Sequence, residues 1–262
     1  MLFSSHSRIS GRYPEIDLLR GLAIVMMIIY HLLFDLYFFG IYQADVLHGF
    51  WRIFGWGCAS LFLFIVGLSF SISYARASQR LAGVNLYLKY LKRGLFIISC
   101  GLLVTAATWF FLGGEGFVVF GILQCIGVSV IIAPLFYRFG WKNIIIGMVI
   151  VYAGWLIAGF YGHVLLLPLG VRPYFFSSID YVPLLPWFGA VLFGIGTGSL
   201  LYPGGIRSYA NKVSIHGSFL WICVMGRHSL LVYLLHQPVM LLILMLFFPE
   251  NIMNSAGVLT WS

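Results

Sequence analysis

Glu15-Ile16-Asp17-Leu18-Leu19-Arg20-Gly21 opens a run that stays largely apolar to Phe39 and carries His31 and Asp35 one helical turn apart. About 20 apolar residues suffice for a helix to cross a bilayer. An ionisable pair inside such a helix is expensive, so it points to a functional site. At about 100° per residue, Asp17, Arg20, His31 and Asp35 fall within about 60° of arc. Tyr30 and Tyr37 lie elsewhere. One side of this helix is therefore polar at both ends and cannot face lipid.

The rest of the chain fits a membrane protein. Its 262 residues are 61% hydrophobic and only 8% charged, whereas soluble domains carry roughly a quarter charged residues. The expected fold class is all-α, a multi-span integral membrane helical bundle of about seven transmembrane helices. The spans run approximately Leu18–Phe39, Gly55–Tyr74, Leu91–Leu112, Phe117–Tyr137, Ile144–Tyr161, Leu184–Tyr202 and Leu230–Phe248. The shorter piece Phe219–Met225 reads as interfacial or as an early turn of the last span. Residues 1–262 read as a single transmembrane domain. The first apolar run is too long for a signal-peptide core and no small-residue cleavage site follows, so the first helix is expected to be retained.

Charge sets an expected orientation. With the N-terminus inside, Arg8, Arg12, Arg20, Arg76, Arg80, Lys89, Lys92, Arg93, Arg138, Lys142, Arg207, Lys212 and Arg227 fall on the inner side, leaving Arg52 and Arg172 outside. Asp45, Glu115, Asp180 and Glu250 also fall outside. The positive-inside rule then gives an N-in/C-out protein of the cell (plasma or inner) membrane. Orientation accounts for the net charge of +8, so no nucleic acid is expected as a partner. Cys58, Cys100, Cys125 and Cys223 stand singly in apolar runs, which argues against disulfides and against a metal site. Phe64–Ser69 and Phe193–Ser199 look alike, but small residues at helix contacts explain this without a repeat. Gly194-x-Gly196-x-Gly198 follows no strand, so it is not a dinucleotide fingerprint.

His31 lies roughly 16 Å along the helix from Arg20, near mid-bilayer. Asp35 can accept a hydrogen bond from its imidazole and leave the other ring nitrogen basic. The pair reads as a general base with its orienting group, or as a structural tie between helices. His236 sits roughly 13 Å from Arg227 and shares an arc with Ser229 and Tyr233. It either converges on the same cavity as His31 or bonds a carbonyl freed by Pro238. His48, within Leu47–Arg52, reads as a solvated loop histidine when taken alone. Asp180 stands at the outer end of span six, where Tyr174, Phe175, Phe176, Tyr181 and Trp187 could stack on a sugar or form the interfacial belt. Lys89, Lys92 and Arg93, with Arg76 and Arg80 nearby, either mark orientation or bind a nucleotide phosphate.

Several segments together resemble the catalytic domain of heparan-alpha-glucosaminide N-acetyltransferase, especially its short prokaryotic members. They are Glu15–Ala23, Leu61–Ser69, Phe120–Val128, Asp180–Gly189 and Gly226–Pro238, in the family's order. The resemblance implies a multi-span acyltransferase that moves acetyl from cytoplasmic acetyl-CoA to an amino sugar on the far side. His48 to Trp51 matches the His-x-x-Trp context of the family's catalytic histidine. His31 falls where the eukaryotic members carry an asparagine. Lys92 and Arg93 match a basic position at the start of span three, and Gln124 matches the glutamine of Leu-Gln-x-x-Gly-Val.

The combined expectation is an acetyl-CoA-dependent N- or O-acetyltransferase requiring no metal. Arg20, Lys92 and Arg93 would hold the coenzyme phosphates. His48, or His31 oriented by Asp35, would deprotonate the acceptor, and Gln124 or His236 would donate to the oxyanion. Asp180, Trp51 and Trp187 would bind a sugar-type acceptor, with the lipid bilayer and a second copy in a homodimer as further partners. Two alternatives stay open: a proton-coupled transporter with His31, Asp35 and His236 as a relay, and a non-catalytic membrane subunit.

Overall fold

Backbone in hydrocarbon has no water to bond, so a membrane-spanning chain must close its hydrogen bonds within helices. The computed structural model describes residues 13–43, 45–112, 116–209 and 217–252. Arg8, Arg12, Glu115 and Lys212, used above for orientation, lie outside the described residues. Those described form eight α-helices: α1 (Pro14–Phe38), α2 (Gly49–Ala77), α3 (Gly83–Phe111), α4 (Ile122–Tyr137), α5 (Asn143–Ile157), α6 (Leu184–Leu201), α7 (Leu220–Arg227) and α8 (Ser229–Phe247). The fold is thus the expected all-α multi-span bundle. Six helical segments are long and apolar enough to cross a membrane, while Ile122–Tyr137 is a shorter apolar helix.

The fourth expected span is short because its first part is not helical. Residues 116–121 run extended beside 177–182. Ile179 N–H donates to the Gly116 carbonyl at 2.8 Å and Val182 N–H to the Phe120 carbonyl at 2.8 Å. Helix α4 therefore begins inside the bundle rather than at its edge.

Glycines decide how closely the helices approach. A Cβ on Gly67 of α2 would stand 1.9 Å from the Val191 carbonyl oxygen of α6, and one on Gly194 would stand 2.0 Å from the Phe64 carbonyl oxygen. The two look-alike segments are thus the two faces of one parallel contact, held backbone to backbone as small residues permit in lipid. Helices α1 and α7 repeat the device: a Cβ on Gly21 or Gly226 would come 1.9 Å from the carbonyl oxygen of Ile222 or Asp17. Those pairings run antiparallel. The short apolar piece before the last span is therefore a separate helix laid along the first turns of α1. It ends at His228, where φ −105° and ψ 28° leave the helical region before α8 starts.

One end of the bundle is tied by tyrosines and arginines. Tyr13 Oη and Arg76 Nε both donate to the Gly205 carbonyl, at 2.9 and 3.0 Å. Glu15 accepts from Tyr202 at 2.9 Å and Tyr209 at 3.0 Å, and pairs with Arg207. The start of α1, the end of α2 and the turn after α6 therefore meet at one end, called the basic end below.

Candidate active site

The polar side of α1 turns inward as its periodicity requires. Asp17 and Asp35 are buried, Arg20 and His31 are half-buried, and Leu22, Ile29 and Leu32 are exposed on the opposite side. From the basic end, Arg20 lines a cavity of about 320 Å³ together with Arg93 of α3, Arg227 of α7, Ser69 and Ser229. Arg20 donates to Ser69 Oγ at 2.6 Å and to Asp17 at 3.4 Å. Asp17 also accepts from Arg227 Nε at 3.3 Å. One buried carboxylate thus holds two guanidinium groups at the cavity wall.

From the other end, His31 lines a cavity of about 240 Å³ with Tyr30, Trp56, Cys58, Asp180 and Trp187. Asp180 arrives on the 177–182 segment, and its Oδ2 accepts from Ile122 N–H at 3.3 Å, capping the start of α4. Burial pushes the Asp180 carboxyl up to about 6, against the hydrogen bond from Ile122, which lowers it. The two cavities share three wall residues: Phe62, Ile122 and Tyr233. A basic chamber and a His/Asp chamber therefore stand end to end, separated by those side chains.

The structure brings together Arg20 and Arg93 in one chamber, and His31, Asp180 and Trp187 in the other. It places His48, Trp51, Lys92, Asp35 and Gln124 elsewhere. His48 is exposed and pairs with Asp45 at 2.9 Å; its neighbour Leu47 lines the chamber, and His48 does not. Trp51 packs against Phe50 and Phe54 outside the chamber. Lys92 is exposed and lines neither cavity, because one residue of helical rotation separates it from Arg93.

Asp35 does not accept from His31 as expected. Both its oxygens accept from Gln237 Nε2 on α8, at 2.8 and 2.9 Å, so a neighbouring helix supplied the partner that one-helix geometry had assigned to His31. Gln124 is buried and committed. Its Nε2 donates to Thr105 at 2.8 Å and its Oε1 accepts from Gly121 N–H at 3.1 Å, which ties α4 to α3 away from both cavities. His236 converges on His31, with ring centroids 5.0 Å apart. Its Nδ1 bonds the Tyr233 carbonyl rather than the carbonyl that Pro238 frees, and its Nε2 is buried without a partner.

Sequence reasoning missed Arg227, Ser69, Trp56 and Tyr233 as wall residues. Arg227 had a signal, since it begins the last span among basic residues, but its placement beside Asp17 depends on the break at His228. Among the described residues no group of three or more His, Cys, Asp or Glu side chains could hold a metal ion.

Comparison with curated proteins and with solved structures finds no match. The family described as heparan-alpha-glucosaminide N-acetyltransferase, catalytic, matches residues 12–238, which covers every residue of both chambers. The chain therefore belongs to the heparan-alpha-glucosaminide N-acetyltransferase catalytic-domain family, a family of membrane acetyltransferases.

Proposed function

We propose that this chain takes acetyl from acetyl-CoA at the basic end and delivers it to a sugar-type amine or hydroxyl at the other. The positive-inside rule makes the basic end cytoplasmic, in a plasma or inner membrane, and residues 1–262 act as one transmembrane domain. The observation that carries this reading is the pair of chambers sharing Phe62, Ile122 and Tyr233. Group transfer across a bilayer needs two substrates that enter from opposite sides and meet within reacting distance.

Arg20, Arg93 and Arg227 supply planar forks suited to phosphate oxygens. With Asp17 neutralising part of their charge, the chamber keeps a positive excess for an anionic donor. On the other side, an unprotonated nitrogen of His31 accepts the proton that the attacking amine or hydroxyl sheds. General-base assistance of this kind is worth about 10² to 10⁴ in rate. The Asp180 carboxylate pairs with the ammonium of an amino sugar and takes one of its protons for release to solvent, which frees the nitrogen lone pair that attacks, and Trp56 and Trp187 offer ring faces to its apolar side. The new C–N or C–O bond forms as the thioester C–S bond breaks, and the thiolate leaves toward the basic chamber.

Calorimetry of acetyl-CoA binding to the detergent-solubilised protein tests the reading. Binding that weakens on Arg93→Ala supports it, and no binding by the wild-type protein ends it. A second reading, a proton-coupled transporter, is favoured by the His31–His236 ring contact inside the bundle. It requires pH-driven flux in vesicles with no acetyl-CoA present.

A further inference from the structure

Tyr233 stands where the two chambers meet, and its ring is part of both walls. Any group passing from the donor chamber to an acceptor in the other chamber passes this residue. Among the described residues the Tyr233 hydroxyl has no hydrogen-bond partner, and it is not one of the polar atoms sealed away from solvent. Its hydroxyl is therefore open to the cavity. By contrast, Tyr202, Tyr209, Tyr13, Tyr90 and Tyr181 all spend their hydroxyls on protein partners.

The ring is held in place. Tyr233 packs against the apolar core, and its own carbonyl takes the His236 Nδ1 hydrogen bond. The rings of Tyr233 and His236 lie 5.5 Å apart, and His236 in turn packs on His31 at 5.0 Å. The first residue of α4, Ile122, shares the same junction, but its N–H is already taken by Asp180 Oδ2 at 3.3 Å, which leaves the Tyr233 hydroxyl as the donor there. A hydroxyl donor fixed at that junction is suited to a developing oxyanion.

Building on the acetyl-transfer reading above, we propose that Tyr233 is a catalytic residue that donates a hydrogen bond to the acyl carbonyl oxygen at the junction of the chambers. As the acceptor nitrogen or oxygen bonds to the carbonyl carbon, the carbonyl π electrons move onto oxygen, where the Tyr233 O–H bonds them without giving up its proton. The acceptor's proton goes to His31. Re-forming the carbonyl expels the thiolate; His31 releases the proton it took to solvent and the thiolate takes up an equivalent one, so the base is regenerated and no charge is left over. The products are the acetylated acceptor and the free thiol.

The test is Tyr233→Phe, which removes one oxygen and leaves the ring in the wall. Two measurements use the detergent-solubilised full chain. Isotope-edited infrared spectroscopy of bound [1-13C]acetyl-CoA reports the hydrogen bond directly and needs no acceptor. The thioester carbonyl band should lie lower on the wild-type protein than on Tyr233→Phe, at unchanged acetyl-CoA affinity. With glucosamine as acceptor, kcat should fall by about 10² to 10³ while the KM for acetyl-CoA stays within about twofold. An identical band position in the two proteins overturns the role of Tyr233 while leaving the acetyltransferase reading intact. Failure of the wild-type protein to bind acetyl-CoA overturns both.

Discussion

Asp180→Asn separates the charge of this residue from its structural duty. The side chain caps α4 through Ile122 N–H at 3.3 Å. An asparagine carbonyl can accept the same bond, since Asn and Asp are about equally good caps, and so the expected structural cost is below about 1 kcal/mol. The charge is another matter. The carboxyl titrates at about 6, raised from 3.8 by burial. Its ionised fraction is then about one in eleven at pH 5 and about ten in eleven at pH 7. If the carboxylate is the form that receives a cationic acceptor, kcat/KM should rise about tenfold between those pH values. The assay is the pH dependence of kcat/KM for acetyl transfer to glucosamine at saturating acetyl-CoA. In Asp180→Asn the limb near pH 6 should disappear and the plateau rate should fall. Tyr30, His31, Cys58, Tyr181 and Tyr233 line the same chamber, so a limb that survives the substitution belongs to one of them and refutes the assignment. Stability carries the same signature with its own sign. Between pH 3.8 and about 6 the folded protein holds a proton that the unfolded chain has released. Wild-type stability should therefore fall as pH rises through that window, relative to Asp180→Asn.

Other substitutions test the remaining assignments. His31→Ala should lower kcat by about 10² to 10⁴, while exposed His48→Ala should stay within about threefold; the reverse order in the same transfer assay would move the base to the loop. Arg227→Lys keeps a charge beside Asp17 but loses the planar fork, so acetyl-CoA should bind about tenfold more weakly by calorimetry. Lys92→Ala, outside both chambers, should change that affinity by no more than about threefold. Gly67→Ala puts a Cβ 1.9 Å from the Val191 carbonyl oxygen, whereas a Cβ at Gly57 of the same helix meets nothing within 4 Å. Thermal unfolding in detergent should show a loss of about 3 kcal/mol or more for the first and almost none for Gly57→Ala; equal melting temperatures would contradict the backbone contact between α2 and α6.

What one helix says about itself was legible in the sequence. Apolar run lengths located the six helices long enough to span and overran the fourth expected span, and 3.6-residue periodicity put Asp17, Arg20, His31 and Asp35 on one side of α1, which the bundle turns inward. The basic residues at the starts of the first, third and last spans foretold a shared end, where Arg20, Arg93 and Arg227 now line one chamber. Periodicity carries no information about which partner a side chain meets on another helix. Asp35 went to Gln237 and Gln124 to Thr105, and His48 stayed outside while His31 entered the wall. The extended pairing of 116–121 with 177–182 shortened α4 and brought Asp180 to its first turn, through hydrogen bonds between segments some 60 residues apart. The meeting of two chambers at Tyr233 is decided the same way. It exists only because α1, α2, α4 and α8 converge there, and convergence is set by backbone contacts at glycines and by interhelical hydrogen bonds, not by any pattern along a single helix.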